Sequence, residues 1–262
     1  MYDFELVKPK TVDEAIDALQ SDEALPLSGG QTLIPTMKQR LASPEKLVSL
    51  LGIAALKGVS ISGGTVTIGA ITNHDSVARE TATSFPGLSG LAGHIGDPAV
   101  RNRGTIGGSL ANNDPAACYP AAALGTGATI VTNSREIAAD DFFDGLFTTI
   151  LRESEIITAV RFPIPEVSNY QKFEQPASRF ALTGVFVAKY PDGVRVAVTG
   201  ASEDGVFRWA EAEAALSADF SAAAIAGLSH SSEGLIADLH GTPDYRAHLI
   251  KVMTGRAVAA AS

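Results

Sequence analysis

Cysteine is almost absent from this sequence of 262 residues, which contains only Cys118. A single thiol excludes an internal disulfide framework and a zinc site built from cysteines. It also excludes an iron–sulfur cluster held by this chain alone, because such a cluster takes about four thiolates. Any iron–sulfur cluster that exchanges electrons with this protein is therefore expected on another chain.

Charged residues and long apolar runs are also scarce. Charged side chains make up 19% of the sequence and the formal net charge is −9, whereas nucleic acids and anionic membranes require a basic surface. The first ten residues, MYDFELVKPK, lack the apolar core of a signal peptide, and no apolar run reaches bilayer-spanning length. We therefore expect a cytoplasmic protein with no nucleic-acid partner and no membrane-spanning segment.

Several familiar site motifs are missing as well. The sequence has no G-x-x-x-x-G-K-[ST] P-loop and no G-x-G-x-x-G Rossmann fingerprint. Ser109 lacks the context of a nucleophile elbow. The histidines lack the spacing of metal ligands, and we interpret each as a surface or structural residue: His74, His94, His230, His240 and His248. No catalytic residue or metal site is predicted, which favours a protein whose chemistry belongs to a bound cofactor.

Apolar periodicity predicts mixed helices and strands in the first part of the chain. A helix over 11–20 has Thr11 as its capping residue, a strand covers 24–29, and a helix covers 31–42. Further strands are predicted at 47–50, 58–70 and 128–132, with Gly63 and Gly64 closing a hairpin.

The residue pattern changes at 163–176, where three prolines and a lack of apolar periodicity predict a crossover between two lobes. An apolar hairpin over 182–202 and an alanine-rich helix over 244–261 follow. Because strands and helices are segregated in this second lobe, the predicted fold class is α+β rather than a doubly wound sheet.

Two glycine pairs lie where a predicted strand runs into a helix, in LPLSGGQTLIPTMKQRL (25–41) and RGTIGGSLANNDPAACYP (103–120). Such a junction presents free backbone amides and the positive end of a helix dipole, which suits phosphate. Glycine permits close approach of a ligand or an unusual φ. Either pair alone could be an ordinary turn, but two hydroxyl-rich loops could clamp the two phosphates of a dinucleotide. Arg101 and Arg103 could assist or form surface salt bridges.

Five segments together resemble the FAD-binding medium subunit of the molybdenum hydroxylases, a group that includes the carbon monoxide dehydrogenase medium subunit and the flavin domain of xanthine dehydrogenase. They are SGGQTLIPTMKQRL, GAITNHDSVA, IGDPAVRNRGTIGGSLANNDPAACYPAA, EIITAVRFP and PASRFALTGVFVA. The resemblance covers nearly the whole chain in the family's order and spacing. It implies a two-part FAD-binding lobe of the vanillyl-alcohol-oxidase (PCMH) type at 1–165, with subdomains of about 1–56 and 57–165. A small α+β C-terminal domain of antiparallel strands then helices would occupy 166–262.

The resemblance also implies a role in electron transfer. Electrons would leave a molybdopterin centre on a large subunit, cross two 2Fe–2S clusters on a small subunit, and reach FAD on this chain. The final acceptor would be a quinone, NAD or another molecule, and the assembly a heterotrimer or a dimer of heterotrimers. Two alternatives stay open: a self-sufficient flavin oxidoreductase of the same superfamily, and a non-catalytic assembly subunit that has lost FAD.

Site residues follow from the same resemblance. Ile95 would lie near the flavin or its ribityl chain, Ile157 would pack against the ring system, and Tyr170 and Lys172 would approach the isoalloxazine. Asp114 and Cys118 belong to the same cofactor-binding set. The pyrophosphate would lie between two groups: Ser28, Gly29, Gly30, Gln31, Thr32 and Leu33 on one side, and Gly104, Thr105, Ile106, Gly107, Gly108 and Ser109 on the other.

Two positions depart from the family pattern. Many members have aspartate where this chain has Cys118, and that aspartate accepts a hydrogen bond from the cofactor's hydroxyls, which a thiol does poorly. Many also have aspartate within the segment where this chain has Ser178 and Arg179. A positive Arg179 pointing inward would favour the anionic reduced flavin.

Overall fold

Three β-sheets organise the chain in a computed structural model, which describes residues 1–21 and 23–261. The strands are β1 (Glu5–Val7), β2 (Ala24–Leu27), β3 (Lys46–Ser49), β4 (Val59–Ser62), β5 (Thr65–Gly69), β6 (Thr129–Thr132), β7 (Glu136–Ala138), β8 (Ile157–Pro163), β9 (Val167–Glu174), β10 (Ala181–Tyr190), β11 (Gly193–Ser202) and β12 (Gly205–Arg208). A parallel sheet has the order β1-β3-β2. The antiparallel sheets have the orders β4-β5-β8-β6-β7 and β12-β11-β10-β9.

Helices connect and cover these sheets. They are α1 (Val12–Leu19), α2 (Leu33–Lys38), α3 (His74–Thr81), α4 (Pro86–Gly93), α5 (Pro98–Arg101), α6 (Ile106–Asn112), α7 (Tyr119–Thr126), α8 (Ala139–Phe142), α9 (Ala210–Ala218) and α10 (Pro243–Ala260). Single 3₁₀ turns occupy Leu50–Gly52 and Ala54–Leu56. Across the described residues, no helix combines the length and apolarity needed to span a membrane.

The helix starts and stops follow local side-chain chemistry. Thr11 caps α1 as predicted, accepting a hydrogen bond from the Glu14 amide, while the Glu14 carboxylate accepts one from the Lys10 amide. The helix predicted over 31–42 is shorter, because Arg40 adopts a left-handed φ of 62°. The Leu41 amide then donates back to the Thr36 carbonyl, which is the hydrogen bond that ends a helix in a Schellman motif.

The predicted hairpins are present. Gly63 and Gly64 have φ angles of 56° and 75°, the two positive values that a two-residue type I′ turn requires. Strands β10 and β11 pair in register from Gly184 opposite Thr199 to Tyr190 opposite Gly193. The helix predicted over 244–261 corresponds to α10, which Thr242 caps by accepting from the Tyr245 amide.

The predicted crossover at 163–176 is wrong for most of its length, because it contains β9, paired with β10. Its apolar alternation is weak since one inward position is Ser168, buried against α4. A Cβ on Gly87 would lie 2.3 Å from the Ser168 Oγ, so the small residue pair allows α4 and the sheet to approach closely. Tertiary packing therefore stabilises a strand that local periodicity does not reveal.

Helices and mostly antiparallel sheets together give the predicted α+β fold class. The largest buried cluster joins the five-stranded sheet, α4, α6 and α7 to the inner face of β10. A second cluster packs α9 and α10 on β10 and β11, and a third packs α1 on β3. The sheets change between β8 and β9, where the predicted domain boundary at 165 falls; the division into domains stays a prediction.

Candidate functional site

A cleft of about 780 Å³ opens beside β2 and is lined by residues from α3, α6, β9 and the segment before β8. This volume lies within the usual range of ligand pockets, about 300–1,000 Å³. The two glycine loops, residues 28–33 and 104–109, both border it. The tertiary fold therefore brings together the two segments that the sequence predicts to act together.

The two loops touch each other at the cleft. A Cβ on Gly29 would lie 2.4 Å from the Arg103 carbonyl oxygen and 2.7 Å from the Gly104 Cα, so only glycine permits this approach. The Ser28 Oγ and Thr105 Oγ1 are 2.8 Å apart and share a hydrogen bond. A backbone contact and a hydroxyl pair thus hold one loop against the other.

The first loop leaves backbone donors free. In the part of the chain that the structure describes, no backbone carbonyl accepts from the amides of Gly30, Gln31, Thr32 or Leu33. Gly30 has a φ of 70°, the left-handed conformation in which glycine is favoured. Consecutive unpaired amides that border a cleft are suited to bind phosphate oxygens.

The second loop uses most of its donors within the protein. The amides of Ile106 and Gly107 donate to the carbonyls of Thr72 and Ala70, and the Gly108 amide donates to the Thr105 Oγ1. A Cβ on Gly107 would lie 2.6 Å from the Ala70 Cβ. The small size of Gly104 and Gly107 therefore allows packing against other protein atoms, and their contact with a ligand stays a prediction.

His74 is part of the wall beneath the second loop, with only 4% of its surface exposed. A Cβ on Gly104 would lie 2.4 Å from the His74 Nε2, and the ring of Tyr119 is 5.3 Å away between centroids. Burial, with a smaller contribution from the positive Arg101, lowers the pKa of His74 to about 4. The imidazole is consequently neutral at neutral pH, as the interpretation of a structural histidine requires.

Lys172 on β9 also lines the cleft, and its side chain is 3% exposed. Its ammonium donates to the carbonyls of His94 and Arg179, both at 2.7 Å, and lies 3.8 Å from the Cys118 Sγ. Burial raises the pKa of the Cys118 thiol, with Lys172 opposing the rise. A neutral thiol and a positive ammonium therefore lie side by side in this part of the wall.

Two predicted residues do not border the cleft. Tyr170 points into the core, where its ring packs 6.5 Å from that of Phe186 and its hydroxyl lies beneath Gly184. Ile106 is fully buried in the largest apolar cluster. The other predicted site residues line the cleft: Ser28, Gly29, Gly30, Gln31, Thr32, Leu33, Ile95, Gly104, Thr105, Gly107, Gly108, Ser109, Asp114, Cys118, Ile157 and Lys172.

Of the described residues that line the cleft, Arg179 is one, whereas Arg101 and Arg103 are not. Arg101 donates to the carbonyls of Ile95 and Gly96 and so fixes the loop before α5. Arg179 has a φ of 61° and borders the cleft, with its Nη1 3.5 Å from the Gly96 carbonyl oxygen. Arg179 therefore lies at the cleft, and its effect on the reduced flavin stays a prediction.

Sequence reasoning missed a third wall, formed by Thr149 and residues 151–156. Glu155 organises it: its carboxylate accepts from Arg135 in a bidentate pair and also from Thr132 and Ser134. These hydrogen bonds, of which that from Arg135 is the largest contribution, lower the pKa of Glu155 to about 2. Of the resembling segments, only EIITAVRFP reaches this wall, at Glu155 and Ile156, and the side chains that bind the Glu155 carboxylate are 20 or more residues away along the chain.

Comparison with known proteins identifies the family. Residues 2–165 match the family described as the FAD binding domain in molybdopterin dehydrogenase. This chain belongs to that family. It is 32% identical to the carbon monoxide dehydrogenase medium chain of Hydrogenophaga pseudoflava, across 98% of this chain and 96% of the relative. It is also 32% identical to the glyceraldehyde dehydrogenase medium chain of Sulfolobus acidocaldarius, across 97% of each.

Solved structures of the family have the same fold along nearly the whole chain. Quinoline 2-oxidoreductase from Pseudomonas putida 86 superposes with a TM-score of 0.88 at 29% identity, across 98% of this chain and 96% of that one. Carbon monoxide dehydrogenase from Hydrogenophaga pseudoflava superposes with a TM-score of 0.85 at 31% identity, across 99% and 97%. The chain is thus an oxidoreductase subunit whose cofactor is FAD.

The residues present fit FAD. The free amides of the first loop offer donors for a pyrophosphate, and a Cβ on Gly108 would meet only Thr105 Oγ1 at 2.9 Å and Ser28 Cβ at 3.8 Å. Apolar side chains, among them Leu27, Ile71 and Ile157, also line the cleft. A lining that combines free amide donors with apolar side chains suits a dinucleotide whose charged phosphates join two flat ring systems.

Proposed function

We propose that this chain is the electron-transfer subunit of a heteromeric molybdenum hydroxylase. It takes electrons from 2Fe–2S clusters on a small partner subunit, which are reduced by a molybdopterin centre on a large one, and it passes them to an external acceptor. The observation that carries the proposal is that this chain matches relatives named for carbon monoxide and for glyceraldehyde equally well, at 32% identity. A chain shared by such different substrates is suited to handle electrons rather than the substrate.

Bound FAD supplies the ability to accept and release electrons. The chain's own residues bind and orient it: the amides of Gly30 and Thr32 hold the pyrophosphate, with the Ser28 and Thr105 hydroxyls beside it. Lys172 and Arg179 place positive charge at the end of the cleft where we put the isoalloxazine. Ile95 and Ile157 shield that end from water. Tyr170 supports this wall from behind and does not touch the cofactor.

The single cysteine supports a division of labour among chains. Cys118 is buried in the cleft wall, so this chain does not supply the thiolates that a 2Fe–2S cluster needs. Within the described residues, no group of three or more histidine, cysteine, aspartate or glutamate side chains is arranged to hold a metal ion. The clusters and the molybdopterin are accordingly placed on partner subunits in this proposal, and a cytoplasmic location stays a prediction.

The test follows the flavin absorbance of the full chain loaded with FAD under anaerobic conditions. We expect the absorbance to bleach on addition of the reduced iron–sulfur partner, and to persist when carbon monoxide, an aldehyde or an N-heterocycle is added to the chain alone. Bleaching by one of these substrates without a partner would establish the self-sufficient oxidoreductase instead. A complex that contains no FAD would establish the assembly subunit that has lost its cofactor.

A further inference from the structure

The imidazole of His74, within the segment GAITNHDSVA, lies directly under the second glycine loop. The backbone between Ala70 and His74 runs alongside this loop and forms its bed. The His74 amide donates to the Gly104 carbonyl, and the Thr72 and Ala70 carbonyls accept from the loop in turn. The Asn73 side chain adds a bond to the Asn102 carbonyl. His74 thus occupies a rigid position.

The His74 ring and Gly29 both pack closely against Gly104. The missing side chain of Gly104 leaves room for the His74 ring, whose Nε2 would be 2.4 Å from a Cβ at this position. Gly29 of the first loop also lies against Gly104, so close that its own Cβ would be 2.7 Å from the Gly104 Cα. The distance between Gly104 and the imidazole therefore determines where the second loop contacts the first.

The contact between the ring and the loop is one of shape rather than charge. The His74 Nδ1 is buried and has no hydrogen-bond partner within the described residues, as is also true of the Tyr119 hydroxyl beside it. The positive Arg101 on α5 is the charged group that acts on the ring, and it favours the neutral form. Helix α6 carries no titratable side chain. A neutral, tightly packed ring is a suitable rigid support.

We propose that His74 is a positioning residue for FAD: its ring supports Gly104 and so holds the second glycine loop at the separation from the first that pyrophosphate binding requires. This proposal takes FAD as the cofactor of this chain, as the proposed electron-transfer role also does. It does not depend on the electron-transfer role itself. His74 itself need not touch the cofactor.

The first experiment measures the FAD dissociation constant of the full chain, at a temperature well below the melting point of each apoprotein. We expect His74→Ala to weaken FAD binding about tenfold, because the loop sinks into the space left by the ring. His74→Phe keeps a flat ring and should recover most of that loss. Phe85→Leu is the matched control, since Phe85 is fully buried away from the cleft. It should lower the melting temperature and change the dissociation constant less than about twofold.

The second experiment tests the contact itself with a double variant. Gly104→Ala places a methyl group against the His74 ring and should weaken FAD binding about thirtyfold or more. Combining it with His74→Ala removes the clash with the ring, so the double variant should bind FAD more tightly than Gly104→Ala alone. This recovery is specific to the ring, because the neighbouring Val100 carbonyl stays in place.

Four results would overturn the proposal. His74→Ala could lower the melting temperature without changing the dissociation constant, which would make the ring a purely structural residue. His74→Phe could bind no better than His74→Ala, or the double variant no better than Gly104→Ala. A wild-type chain that takes up no FAD would refute the cofactor assignment together with the proposal. A failure of electron transfer with FAD bound would refute only the proposed function.

Discussion

In the first glycine loop, four successive amides have no backbone acceptor in the described chain, whereas in the second loop the amides of Ile106 and Gly107 are bonded to the bed beneath it. Gly30 is needed for its positive φ, but Gly104 and Gly107 are needed because other protein atoms press against them. Similar residues at two strand–helix junctions therefore have different functions. The first loop offers donors to a ligand, and the second provides the surface that holds the first in place.

The largest effect is expected where the two loops touch. Gly29→Ala places a Cβ within 2.4 Å of the Arg103 carbonyl oxygen, so the loops must separate. We expect FAD affinity to fall at least about 100-fold and the free energy of unfolding to fall by about 4 kcal/mol. Equilibrium denaturation and FAD titration measure the two effects.

Gly90→Ala is the control for that substitution, because no atom lies within 4 Å of the position its Cβ would occupy. It should leave FAD affinity unchanged and slightly favour helix α4. If Gly29→Ala bound FAD as tightly as the wild type, the contact between the loops would not determine cofactor binding.

The free energy of unfolding should fall in acid. The unfolded chain protonates His74, which lies beneath the second loop, near pH 6.5, while the folded chain does so only near pH 4. The unfolded state binds the extra proton, so stability falls as the pH drops through this window. The expected loss is about 3 kcal/mol in the free energy of unfolding. His74→Phe should flatten the dependence between pH 6.5 and 4, as measured by denaturation at a series of pH values.

The Glu155 ion pair loses its stabilising effect at a lower pH than the one at which His74 acts, so the two contributions can be distinguished. The pKa of Glu155 is lowered from 4.5 to about 2, so the stability that its ion pair contributes is present above pH 4.5 and is lost as the pH falls towards 2. The two windows overlap little. A variant at His74 that changed stability only below pH 4 would contradict the assignment of the upper window.

Replacing Gly30 tests the backbone conformation of the first loop. A side chain at a φ of 70° costs about 1–2 kcal/mol in the free energy of unfolding. Gly30→Ala should show this loss and should also weaken FAD binding about tenfold, because the neighbouring amides turn away from the cleft. Gly63→Ala pays a similar conformational cost at a φ of 56° in a hairpin remote from the cleft, and it should leave FAD binding intact.

The smallest effect is expected from the hydroxyl pair between the loops. Ser28→Ala removes the hydrogen bond to Thr105 and should reduce the free energy of unfolding by about 1 kcal/mol, with a few-fold loss of FAD affinity. Ser89→Ala removes a hydrogen bond to the Ala78 carbonyl, away from the cleft, and should affect stability alone. Equal FAD affinities for the two variants would mean that the hydroxyl pair has no part in binding.

The chain beyond residue 165 shows where prediction from sequence succeeds and where it fails. The hairpin of β10 and β11 is evident because its apolar residues are continuous and a Pro-Asp-Gly turn separates them. Strand β9 is missed because its buried positions include Ser168 and Tyr170, whose partners on α4 and β10 are remote in sequence. The family resemblance predicts both Tyr170 and Ile106 at the cleft. The alternation of side chains along β9 directs Tyr170 into the core, and the orientation of α6 does the same for Ile106.

The sequence by itself determined the α+β class, the helices α1, α2 and α10, the two predicted hairpins, and the two glycine loops as a pair, because each depends on residues that are neighbours along the chain. Its motifs also indicated the family and the flavin. Only the tertiary structure decided which amides are free, which glycines pack against protein, and that His74 lies beneath Gly104. Those features depend on distances between segments far apart in sequence, such as the 77 residues that separate Ser28 from Thr105. Local periodicity carries no information about such distances.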